Sequence, residues 1–147
     1  MATSNAATTY LEHAILDFLF KNNSESFATL GDSIYIGLAT AVSDAEAGTL
    51  TEVNTSTQDA NYTRQQVAAS GWTLTSVATD QQTVTNAANI EYSASSGVAT
   101  YTVTHAFIAD AASSGNILFV GALDASKAIA SGDIFRINAG NLTIELK

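Results

Sequence analysis

The sequence predicts a mainly β fold, an antiparallel β-sandwich or barrel-like domain with one N-terminal α-helix. Three observations carry this. From Ser33 onward, apolar and polar residues alternate with period two over several short runs. Clusters of Gly, Asn, Asp and Ser separate those runs. Only one stretch, near the start, repeats its apolar residues at helical spacing.

Residues 1–8, built from Ala, Thr, Ser and Asn, are expected to form a flexible arm, and residues 9–147 a single β-rich domain. The helix is expected over about Tyr10–Lys21, where Leu11, Ala14, Ile15, Phe18 and Leu19 share a face. Thr9 and Glu12 fit the Thr-x-x-Glu capping box, in which the two side chains satisfy orphan amides at the helix start. Asn22 and Asn23 suit its end. Glu12, His13 and Asp17 lie on the other face, while Leu16 and Phe20 widen the apolar stripe. A helix this short is marginal alone in water. It must therefore pack on something: the sheet core as first expectation, a neighbouring subunit as second.

The strands follow in order. Ile34, Ile36 and Leu38 alternate with Tyr35, Gly37 and Ala39. Residues 41–62 are polar and aperiodic, and read as a long surface loop with a short strand near Leu50–Val53. Trp72–Val77 alternates again. In Ala99–Ala109, Tyr101, Val103, His105 and Phe107 are expected on one side. Ile117–Leu123 and Asp133–Ile137 are short, apolar and β-branched, and Asn141–Leu146 aligns Leu142, Ile144 and Leu146. The chain has no Pro, so Gly, Asn, Asp and Ser must make every turn.

Composition narrows the function. The chain is 46% hydrophobic and 13% charged, which argues for a packed core over disorder. Its net charge is -9, and its five bases, Lys21, Arg64, Lys127, Arg136 and Lys147, stand singly. Nucleic acid and anionic membrane surfaces both need clustered cations, so neither is an expected partner. There is no Cys, which excludes disulfides and thiolate metal sites. No apolar run reaches the length of a membrane span, and Met1–Thr9 lacks the basic start of a signal peptide.

Chemistry is sparse. His13 and Asp17 are four apart on the helix, but two ligands do not make a metal site. His105, mid-strand, reads as a hydrogen-bonded structural residue. No G-x-S-x-G elbow and no Gly-rich phosphate loop occurs. Asp44, Glu46 and Gly48 only faintly suggest a calcium loop. The expectation is therefore no enzyme, no cofactor and no metal. Arg64, beside Tyr62 in a chain poor in bases, suits a loop pinned by bidentate hydrogen bonds or an interface anchor. Tyr10, Leu11, Phe18, Tyr62 and Arg64 are the candidate interface residues.

Several segments in order carry a resemblance. Tyr10-Leu11-Glu12 opens the series, followed by Tyr35-Ile36-Gly37-Leu38-Ala39-Thr40 and then Gly48. Glu52-Val53, Tyr62-Thr63-Arg64-Gln65 and Gly115-Asn116-Ile117-Leu118 come next. Gly121-Ala122-Leu123, Gly132-Asp133-Ile134-Phe135-Arg136-Ile137 and Ala139-Gly140-Asn141-Leu142-Thr143-Ile144 complete it. Together they resemble small tailed-phage virion structural proteins of the tail-fibre-like or head-decoration-like kind. Ala41-Val42-Ser43-Asp44 stands where such proteins carry Asp-Pro. The resemblance implies a β-rich virion component assembled in the host cytoplasm, with no catalytic residues to carry over. The first reading is a capsid decoration (cement) protein on the outer surface of the head, bound to the major capsid protein and forming a homotrimer. The alternative is a tail-fibre, tail-tip or baseplate component bound to tail proteins, in which aromatics such as Tyr35, Trp72 or Tyr92 surround a receptor glycan.

Overall fold

The computed structural model describes residues 6–21, 34–78 and 81–146. In chain order these carry β1 (Ala6–Ala7), α1 (Thr9–Lys21), β2 (Ile34–Asp44), β3 (Thr49–Glu52), β4 (Gln65–Val67) and β5 (Trp72–Ala78). They continue with β6 (Gln81–Asn86), β7 (Ile90–Glu91), β8 (Tyr101–Ala109), β9 (Ile117–Ile129), β10 (Arg136–Ile137) and β11 (Thr143–Leu146). Every pairing is antiparallel. The principal sheet runs β1-β9-β8-β2-β3, with β4 also against β2. A second sheet runs β11-β6-β5, and β10 pairs with β7.

The mainly β expectation with one N-terminal helix holds, and period-two patterning explains the core. Ile36 and Leu38 of β2, Ala106 and Ile108 of β8 and Leu118 of β9 turn to one face of the principal sheet. There they meet Val67, Ile90, Tyr92 and Ile129, with Trp72, Ile137, Leu142 and Ile144 packed at the margin. The opposite face holds a smaller cluster of Ala39, Ala45, Phe107, Ala109 and Val120. A sheet apolar on both faces must be covered on both. The principal sheet's residues therefore alternate between two cores where sequence reading expects one core and water.

Several expectations are corrected. Residues 1–5 of the expected arm lie outside the described residues, but Ala6 and Ala7 pair with Val120 and Phe119. Thr8 is buried, and its hydroxyl donates to the Ile117 carbonyl at 2.5 Å. Thr8 also caps the helix, one residue before the expected Thr9: its Oγ1 accepts the Leu11 N–H at 3.3 Å. Thr9 is exposed instead, its amide donating to the Glu46 carbonyl. Asn22 and Asn23 lie outside the described residues.

The expected loop over 41–62 is half a hairpin. β2 runs on to Asp44, and β3 returns along it. The turn closes because Asp44 Oδ1 accepts the Ala47 N–H at 3.0 Å and Gly48 takes a φ of 67°, a backbone region that glycine enters without a Cβ penalty. Asp133–Ile137 supplies only the two residues of β10. In β8, the expected common side for Tyr101, Val103, His105 and Phe107 is broken. Between Val103 and His105 the register with β9 slips, so Thr104 stands against Leu123–Ser126. Such a bulge resets which residues face inward. Beyond it Ala106 and Ile108 enter the main core, and Phe107 turns to the other face.

Candidate interaction surface

The buried polar groups come first, because a reactive site would have to be built from them. Tyr62 reaches into the gap along β2 between β4 and β3. Its hydroxyl accepts the Leu38 N–H at 2.8 Å and donates to Glu52 Oε1 at 2.8 Å. Arg64 grips the same carboxylate in a fork, Nε to Oε1 and Nη2 to Oε2, both at 2.8 Å. Its Nη1 donates to the carbonyls of Ala111 and Ser114, each at 2.8 Å. The guanidinium carbon lies 5.0 Å from the centre of the Phe107 ring, a cation–π contact. The Glu52 hydrogen bonds hold the Arg64 proton more firmly than usual, against the effect of burial. This one side chain ties the 53–64 loop, β3 and the β8–β9 turn together.

Asp59 is a second fastening. Its carboxylate accepts the amides of Asn61 and Ser96 at 3.0 and 2.9 Å and the Tyr101 hydroxyl at 2.9 Å. Burial works against its charge, but these donors prevail and hold the carboxyl below its ordinary value. Asn86 is a third, donating to the Ala88 and Asn138 carbonyls and accepting the Leu142 amide. Tyr92 donates to the Ile36 carbonyl at 2.8 Å and stacks on Tyr62, with ring centres 6.0 Å apart. Burial pushes the Tyr62, Tyr92 and Tyr101 phenols well above their usual value. His105 Nδ1 lies 2.8 Å from Thr104 Oγ1, and burial lowers its pKa. Among the described residues no group of three His, Asp or Glu could hold a metal. These polar side chains are engaged in holding loops to sheets.

The candidate interface residues therefore divide. Tyr62 and Arg64 face inward, in the pinning role, and Leu11 is buried against the core. The structure does not bring these three to a surface. Tyr10 and Phe18 remain 39% and 44% exposed. The aromatics expected around a glycan do not gather either: Tyr92 is buried, while Trp72 packs at the core margin.

Sequence reading missed how strongly the helix faces outward. Leu11 and Ala14 are its buried residues, and both turn the same way. Leu16 and Phe20 on the far side are 57% and 82% exposed, and Leu19 on the flank is 64% exposed. The signal was present in Leu16 and Phe20, which make the helix apolar nearly all round. A second surface feature is a groove of about 1270 Å³ between β9 and the 133–145 segment, lined by Phe119, Leu123, Lys127, Ile134 and Phe135 among others. Its mixed lining gives it no single chemical preference.

A family model described as "Podophage GP4 fiber I protein gp80" matches residues 6–145. No curated protein matches the chain.

Proposed function

The chain belongs to the podophage GP4 fiber I protein gp80 family, and from that premise we propose that it serves as a non-catalytic fibre component of the phage tail. Its membership makes it a phage virion structural protein of the tail-fibre type. The finer reading, a part of the fibre that associates with other tail proteins, rests on the fibre description of the family. That description favours the tail alternative over head decoration. The engagement of Arg64, Glu52, Asp59 and Asn86 in loop fastening supports a scaffold role, since these buried polar groups serve the fold. No helix among the described residues is long and apolar enough to cross a membrane.

Immunogold labelling of purified virions with antibody to this chain tests the location. Gold confined to the tail or its fibres is expected. Gold spread over the head lattice would return the reading to capsid decoration. Copy number by quantitative mass spectrometry gives an independent check: a fibre part is expected at far fewer copies than the major capsid protein.

A further inference from the structure

We propose that β1 and α1, residues 6–21, form a releasable strap over the edge of β9, which opens as one unit while the sheets stay folded. The strap sits where that edge needs cover. Ile117–Leu123 of β9 carries no charge and is largely apolar. An edge strand of that kind offers its backbone groups to any other strand. Further along, exposed Asp124 and Lys127 guard the same edge with charge. The strap covers the unguarded part. Ala6 and Ala7 pair with Val120 and Phe119. Thr8 then takes up the next two carbonyls, Leu118 through its amide at 2.9 Å and Ile117 through its hydroxyl.

The strap's fastenings are concentrated and separate from those of the sheets. Leu11 and Ala14, the buried residues of α1, both lie in its first half. The Thr9 amide donates to the Glu46 carbonyl at 2.9 Å, which ties the strap to the β2–β3 turn. Arg64, Asp59 and Asn86, which fasten the loops, make their hydrogen bonds to residues outside 6–21. Opening the strap leaves all of those bonds in place. A segment held by a few contacts of its own opens at lower free energy than the sheets beneath it. Closed, the strap hides Ile117–Val120; open, it presents that stretch to a further strand. Access to one sheet edge is thereby set by a local equilibrium.

The test is native-state hydrogen exchange of the full chain, read amide by amide by NMR in low urea. β8 lies between β9 and β2, so its amides report global unfolding. In wild type the amides of Thr8, Thr9, Leu11 and Glu12 are expected to exchange together. Their rate should exceed that of β8 by on the order of 1,000-fold, with a much shallower dependence on urea. Two variants separate local from global opening. Arg64→Ala should speed exchange in β8 by on the order of 100-fold and leave the strap amides unchanged. Thr8→Ala should speed the Thr9 and Glu12 amides roughly tenfold. Strap amides that exchange at the β8 rate with the same urea dependence overturn the proposal. So do strap amides that accelerate together with β8 in Arg64→Ala. If Arg64→Ala does not fold, the urea dependence in wild type decides by itself. The outcome is independent of the tail location, since gold labelling reads position and exchange reads opening.

Discussion

Arg64 shows how much a single residue can carry when bases are scarce. It bonds Glu52 through two nitrogens and two turn carbonyls through the third, with its side chain only 6% exposed. Removing it leaves the Glu52 charge in a partly buried site without its counter-ion. Breaking such a pair costs about 3–5 kcal/mol. The lower end applies here, because the Glu52 side chain keeps 29% of its surface in water. Arg64→Ala is therefore expected to lower the urea unfolding midpoint by the equivalent of about 3 kcal/mol. Arg64→Lys should recover less than half of that, because an ammonium cannot span both carboxylate oxygens and both carbonyls. A full recovery by Lys would mean that charge alone matters and the fork does not.

At the scale of elements, the pairing of β2 with β8 turns on one missing side chain. A Cβ on Gly37 would lie 2.1 Å from Phe107 Cζ, so the ring crosses the space a side chain would take. Phe107 is 1% exposed and has nowhere open to move. Gly37→Ala is expected to destabilise by about 1–3 kcal/mol through overpacking. Phe107→Leu in the same chain should relieve part of that, which a double-mutant cycle of unfolding midpoints would measure. Additive effects would show that the ring and the glycine do not compete for space. The helix start offers a second test. Thr8→Ala removes both the cap to Leu11 and the bond to the Ile117 carbonyl. The expected loss is about 1–2 kcal/mol, read from thermal melts. Thr9→Ala should leave the melt nearly unchanged.

For the whole molecule, stability should fall off at both ends of the pH scale. Asp59 has a lowered pKa when folded, so the native state binds fewer protons there than the unfolded chain. Its contribution is complete above about pH 4 and is lost as pH falls through the folded value. His105, also lowered, begins to lose its part below about pH 6.5. Tyr62, Tyr92 and Tyr101 are raised, so their contribution is complete below about pH 10 and is lost as pH rises toward their folded values. Ultraviolet titration should accordingly show the phenolates of these three forming together with unfolding above about pH 10. Their smooth titration in a folded chain, tracked by circular dichroism, would contradict the burial. Asp59→Asn should flatten the acid limb while lowering stability at neutral pH.

Patterns of period and turn were enough to place the helix and the main strands from the sequence, because each depends on neighbours a few residues apart. The pinning role open to Tyr62 and Arg64 could be read from composition instead, since an Arg among so few bases stands out. β6, with Gln81-Gln82-Thr83 at its start, was missed because it has no apolar alternation to show. The outward face of α1 was half visible: Leu16 and Phe20 widened the stripe, but only the packed chain reveals that Leu11 and Ala14 are the two residues it buries. The choice of Thr8 over Thr9 as cap depends on Ile117, 109 positions away. The bulge opposite Thr104, which sends Phe107 to the far face, depends on β9. The sequence alone determined a β-rich, acidic chain with one N-terminal helix, because local periodicity and charge are written along the backbone. Which side of each element faces a core, and which is left exposed, was decided only in three dimensions, because burial is a property of distant residues brought into contact.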